Sequence, residues 1–175
     1  MWRARDHELL DALDSLEAVK LEQSVWRALR VGRDPLSGRP SNGRWDPGTF
    51  DVIYVSLDPK GAGAELYFHL SRQPVFPSRA EFAVHEIAVR TQRTLRFADL
   101  RDLEPLGVVP AEYPGVLYRR TQEIGDAASF LGFDGILAPS ARCECHNLVV
   151  FTDHLEPDAL ELVRSSPIDW SEFEA

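Results

Sequence analysis

No apolar run in this chain approaches the ~20 residues needed to cross a bilayer, so no transmembrane span is expected. The N-terminus, Met1-Trp2-Arg3-Ala4-Arg5-Asp6-His7, is polar and leads into an acidic amphipathic segment. It has no apolar core of signal-peptide type, and a cytoplasmic protein is expected. Basic charge is scarce: 19 Lys and Arg stand against 28 Asp and Glu, a formal net charge of −9. A nucleic-acid binder needs a positive face to displace counterions from phosphates, so direct nucleic-acid binding is not expected. A few arginines in a cleft can still hold a small anion, whatever the total charge.

Cysteine is scarcer still. Cys143 and Cys145 are separated by one residue. That spacing makes a strained disulfide, which a reducing compartment would not hold. The run Cys143-Glu144-Cys145-His146 lacks the spacing of structural zinc sites. Buried or half-buried thiols and no metal are therefore expected. Three nucleotide and hydrolase signatures are also missing: GxGxxG, GxxxxGK[ST] and Gly-x-Ser-x-Gly. The chain thus has neither a Rossmann nor a P-loop fingerprint, nor a hydrolase elbow.

What is present fits one domain with a real core: 175 residues, 44% hydrophobic and 27% charged. Leu9, Leu10, Leu13, Leu16 and Val19 predict a helix over 7–23. Residues 24–30 read as a strand, with Val25, Arg27 and Leu29 on one face and Trp26 and Ala28 on the other. Residues 32–51 are rich in turn formers and read as a long loop, often a functional feature. A strand over 52–56 and a helix opened by Asp58-Pro59 follow. Strands are expected at 81–89, 94–97, 135–138 and 148–151, a helix at 121–131, and a short helix at 158–164 before an acidic tail. This is a single mixed α+β domain.

Arg27 on a half-buried strand is either ligand-bound or an edge residue reaching solvent. Arg44 follows the turn signal Asn42-Gly43; beside it, Trp45 is either a packed lid or a binding surface. Tyr54 lies within an apolar strand and Glu65 on an apolar helix turn. Ser140 follows Pro139 at a strand end. An arginine for phosphate, a tyrosine for a flat ring and a carboxylate for a developing cation suit a dinucleotide with a cationic leaving group, such as NAD.

Read in order, Trp26-Arg27, Gly43-Arg44-Trp45-x-Pro47-x-Gly48, Ile53-Tyr54-x-Ser56, Ala64-Glu65, Gly125, Gly135-Ile136-Leu137-x-Pro139-Ser140-Ala141-Arg142 and Asn147-Leu148-Val149-Val150-Phe151 resemble the RES-domain family. Its members are toxins of bacterial Xre–RES toxin–antitoxin pairs, named for an Arg, a Glu and a Ser. The resemblance implies a fold like that of the ADP-ribosyltransferase toxins: a pair of small mixed sheets with flanking helices. It divides the chain into an N-terminal helix (1–24), a RES domain (25–152) and a C-terminal helix with acidic tail (153–175).

It also implies cleavage of NAD, as substrate, at the nicotinamide–ribose bond. The acceptor is water, phosphate or a protein such as a nucleotide-precursor synthetase, and a cognate antitoxin is the partner. By the resemblance, Glu65, Arg27 and Ser140 are catalytic, and Arg27, Arg44, Tyr54, Ser140 and Trp45 bind NAD. Relatives often carry an aromatic residue after the strand arginine; Ala28 stands there instead. A catalytically idle nucleotide- or protein-binding module is the competing reading.

Overall fold

The computed structural model describes residues 4–173. The elements run α1 (His7–Asp14), β1 (Val19–Arg30), β2 (Val52–Ser56), α2 (Pro59–Ser71), β3 (Phe82–Arg96), α3 (Arg119–Phe130), β4 (Gly135–Pro139), β5 (His146–Phe151) and β6 (Leu160–Pro167), with short 3₁₀ turns between them. All strands join one sheet, ordered β1-β2-β5-β4-β3-β6, and β1 also pairs with β3. The first five therefore curl into a closed ring. The 15-residue β3 makes this possible. One of its edges takes β1 from Phe82 to Thr94; the other is shared by β6 at Ala83–Val89 and β4 at Thr94–Arg96.

Strand alternation then sorts the side chains into two cores. Along β5, Leu148 and Val150 point into the ring, where they meet Val25, Ile53, Val55 and Ile87. Val149 and Phe151 point outward and join Leu9, Leu13, Ile124 and Phe133 beneath α1 and α3. The mixed α+β domain expected from the sequence is what forms.

Three element assignments are corrected. The helix expected over 7–23 stops at Asp14, where the Ser15 N–H donates to the Asp11 and Leu13 carbonyls. From Val19 onward the chain pairs with β3 instead, because a long β partner outweighs weak helical periodicity. The strands expected at 81–89 and 94–97 are one strand. The helix expected at 158–164, in the C-terminal segment, is β6; its short amphipathic run fits either period, and the free edge of β3 decides the matter.

Candidate active site

Asp58 caps α2: its carboxylate accepts from the Lys60 N–H at 2.7 Å and the Gly61 N–H at 3.3 Å. The helix lies close against the outer face of the ring. A Cβ at Gly61 would sit 2.4 Å from Ser56 Oγ and 2.7 Å from Cys145 Sγ. That close approach brings Glu65, one turn on, to the β4–β5 loop. Ser140 Oγ donates to Glu65 Oε1 at 2.8 Å, and Asn147 Nδ2 donates to the same oxygen at 2.8 Å. Glu65 Oε2 has no hydrogen-bond partner among the described residues.

Arg142, Arg72 and Arg44 bear on His69 of the same helix, as Glu65 does. The Arg142 guanidinium lies 3.5 Å from the centroid of the Phe68 ring and donates to the Pro114 carbonyl at 2.8 Å. Arg44 lies between Tyr113 and Tyr118, 4.5 and 4.7 Å from their centroids, and donates to the Tyr113 carbonyl. Tyr113 is buried, and its hydroxyl donates to the Pro139 carbonyl at 2.6 Å. Burial pushes that phenol up to about 12, with Arg44 pulling it down and Glu65 pushing it up. His69, one turn beyond Glu65, is held below its usual range by desolvation and by Arg142, Arg72 and Arg44, against the pull of Glu65. A groove of about 930 Å³ opens beside the cluster and shares Arg44 and Tyr113 with it.

The structure brings Glu65, Ser140 and Arg44 into this one region. The other expected site residues lie elsewhere. Arg27 lies on the opposite face of the sheet. Trp26 pairs with Ser56 on the outer face of the sheet, so its neighbour Arg27 points the other way, beside Val25. Its guanidinium donates to the Pro35 and Ser37 carbonyls at 2.7 and 3.2 Å. Desolvation lowers its pKa, and the charges bearing on it are Arg33 and Asp34 of its own loop.

Trp45 is 4% exposed and belongs to the outer core, so it offers no stacking surface. Tyr54 is partly buried with its hydroxyl engaged: it donates to Asp46 Oδ1 at 2.7 Å and accepts from the Trp45 N–H at 2.9 Å. The expected free thiols are also corrected. Cys143 and Cys145 are bonded in the structure, their Cα atoms 5.3 Å apart.

Sequence reasoning gave no role to Asp46. It is fully buried and accepts five hydrogen bonds: from the Ser41, Asn42 and Gly43 N–H groups and the Ser41 and Tyr54 hydroxyls. Asn42 at φ 54° closes the turn around it. A short polar side chain within a turn-rich loop is the signal that could have found it. Burial raises its pKa, but the bonds from Tyr54, Ser41 and Gly43 outweigh that and hold it below the usual 3.8. A depressed carboxylate contributes stability above its unfolded-state value and loses it as pH falls through the folded one. Asp46→Asn is therefore expected to cost about 2–4 kcal/mol at neutral pH. The deficit should shrink below the usual carboxylate range. Urea melts at pH 7 and pH 3 check both the size and the trend.

The RES domain family matches residues 24–171, and the chain belongs to that family. It is similar to the probable NAD(+) phosphorylase Rv3189 of Mycobacterium tuberculosis, with 34% identity over 120 residues. That match covers 66% of this chain and 57% of the relative. It is also similar to the NAD(+) phosphorylase MbcT of Mycobacterium bovis, with 24% identity over 172 residues, 94% of this chain and 92% of that one. Among solved structures, the crystal structure of the M. tuberculosis MbcT–MbcA toxin–antitoxin complex superposes with a TM-score of 0.86. It covers 97% of each chain at 24% identity, a likeness of fold.

Proposed function

We propose that this protein is an NAD-cleaving toxin. It breaks the nicotinamide–ribose bond with phosphate as acceptor, and a cognate antitoxin protein restrains it. The observation that carries the reading is the Glu65 carboxylate. One of its oxygens is fixed by Ser140 and Asn147, and it sits in a setting that includes Arg44 and Arg142. Phosphorolysis is favoured because the relatives described above bear that activity in their names. An antitoxin partner is favoured because the structural neighbour is a toxin–antitoxin complex.

The division of labour follows from charge. As the bond breaks, its electron pair leaves with nicotinamide, which departs neutral, and the ribose takes on oxocarbenium character. The Glu65 carboxylate stabilises that cation. A phosphate oxygen then bonds to the same ribose carbon. Arg44 and Arg142 hold anionic oxygens, of the pyrophosphate or of the incoming phosphate, as guanidinium forks suit. Tyr113 and Tyr118 keep Arg44 in place. Ser140 acts on Glu65, and Arg27 secures the 33–37 loop from inside the ring. These residues all fall within 25–152, the segment we assign as the catalytic body. No helix among the described residues is long and apolar enough to cross a membrane, and a cytoplasmic setting, where NAD is supplied, fits this chemistry.

The test is incubation of the purified protein with NAD, with and without inorganic phosphate, followed by chromatography and mass spectrometry. The expected result is nicotinamide release accelerated by phosphate, with ADP-ribose bearing one additional phosphate. Phosphate-independent release with plain ADP-ribose would replace phosphate by water as acceptor. Absence of nicotinamide under all conditions would leave the idle binding module as the reading.

A further inference from the structure

We infer that Asn147 is a positioning residue for Glu65, a role resting on the NAD-cleaving reading above. With the Ser140 hydroxyl, its side-chain amide fixes one carboxylate oxygen so that the other is held toward the reacting sugar. Three elements converge on this point: Glu65 comes from α2, Ser140 from the end of β4, and Asn147 from β5. Of the two donors, Asn147 has the more rigid seat. It pairs with Ser56 of β2 on one side and Ala138 of β4 on the other. A residue inside a sheet holds a side chain to tighter tolerance than one on a loop.

The amide's orientation is settled by its target. Nδ2 donates to Glu65 Oε1 at 2.8 Å, whereas the reversed amide would set oxygen against oxygen. The consequence appears at the other end. Asn147 Oδ1 is buried and has no hydrogen-bond partner among the described residues. A buried, unpaired carbonyl costs stability, and the next residues, Leu148, Val149 and Val150, are all apolar and buried. An apolar side chain at 147 would remove that cost. What asparagine supplies in return is the donor to Glu65. With two donors on Oε1, rotation of the carboxylate is restricted, and Oε2 is the oxygen left for the substrate.

Three proteins test this: the wild type, Asn147→Leu and Asn147→Asp. Asn147→Leu keeps the number and branching of side-chain heavy atoms and removes both the donor and the orphaned carbonyl. It is expected to retain or raise Tm while kcat for nicotinamide release falls about 10²-fold, the usual scale for a misplaced catalytic group. KM for NAD should stay within about threefold, since only the reacting centre is disturbed. Asn147→Asp sets a second carboxylate against Glu65. The pair then resists double ionisation, and the acid limb of the pH–kcat profile should move up by about one pH unit or more.

A lowered Tm with unchanged kcat in Asn147→Leu would make Asn147 structural. A raised KM with unchanged kcat would make it a direct ligand contact. Superimposable pH profiles for wild type and Asn147→Asp would remove the electrostatic contact. Each of these overturns the inference. If the wild type releases no nicotinamide, the functional reading fails. The Asn147–Glu65 contact is then judged by ¹³C carboxyl titration: an upward move of the Glu65 signal in Asn147→Asp supports it, and an unmoved signal overturns it.

Discussion

Replacement of Glu65 by glutamine is expected to leave a folded protein whose nicotinamide release is slower by about 10²-fold or more. The substitution is nearly isosteric. The glutamine carbonyl can occupy the Oε1 position and still accept from Ser140 and Asn147 at about the present 2.8 Å. What disappears is the negative charge. A neutral amide cannot offset the positive charge that develops on ribose as nicotinamide leaves, in a setting that includes Arg44 and Arg142. The loss should fall on kcat, with KM for NAD little changed, because the arginines proposed to hold the phosphates are untouched. Steady-state kinetics of nicotinamide release, with Tm as a control for folding, decides the matter. Turnover close to that of the wild type in a normally folded Glu65→Gln protein would remove Glu65 from the reaction.

Gly125→Ala is expected to destabilise the protein by about 3 kcal/mol or more, a fall in Tm of roughly 10 °C for a chain of this size. The sign is informative, because helix propensity alone argues the reverse. Alanine in a helix interior is favoured over glycine by about 1 kcal/mol. Gly125 lies within α3, however, and a Cβ there would stand 1.6 Å from the Trp45 carbonyl oxygen. That neighbour is backbone, not the flexible tip of a side chain, so relief requires the loop or the helix to move. Overpacking of this kind outweighs the propensity gain. Displacing Trp45 would also shift Arg44 before it and Asp46 after it, so NAD affinity should fall along with Tm. Differential scanning calorimetry checks the first effect and NAD titration the second. A Tm equal to or above that of the wild type would mean that α3 and the 41–46 turn are not in the contact described.

Local chemistry was legible wherever it depends on residues close in sequence. Asp58 and Pro59 announced α2, and the apolar runs at 52–56, 135–138 and 148–151 announced three central strands. The ordered set of short motifs pointed to the RES-domain family and through it to Arg27, Glu65 and Ser140, of which the structure brings the last two into contact. Segments whose state depends on a distant partner were not legible. Val19–Gln23 and Leu160–Arg164 become strands because β3 offers an edge to each, and no local period records that offer. For Trp45 and Tyr54 the residues left core and ligand contact open, and only the resemblance implied NAD contacts. Whether an aromatic faces a cleft or a core depends on what packs over it, and here α3 and the Asp46 turn do so.

The sequence by itself determined the composition of the site: which carboxylate, serine and arginines were available, and the alternation that sets Arg27 on the opposite strand face from Trp26. Only the tertiary structure decided which of them meet. Closure of the sheet turns one face of every strand inward, so Arg27 is carried into the ring with Val25 while Ser56 and Asn147 face α2. Glu65 and Ser140, far apart in the chain, come within hydrogen-bonding distance because α2 rests on Gly61 against that outer face. The physical reason is the strand period of two. It fixes which residues share a face, while the direction in which the sheet curls, a property of all its strands together, determines which face becomes the core and which the cleft.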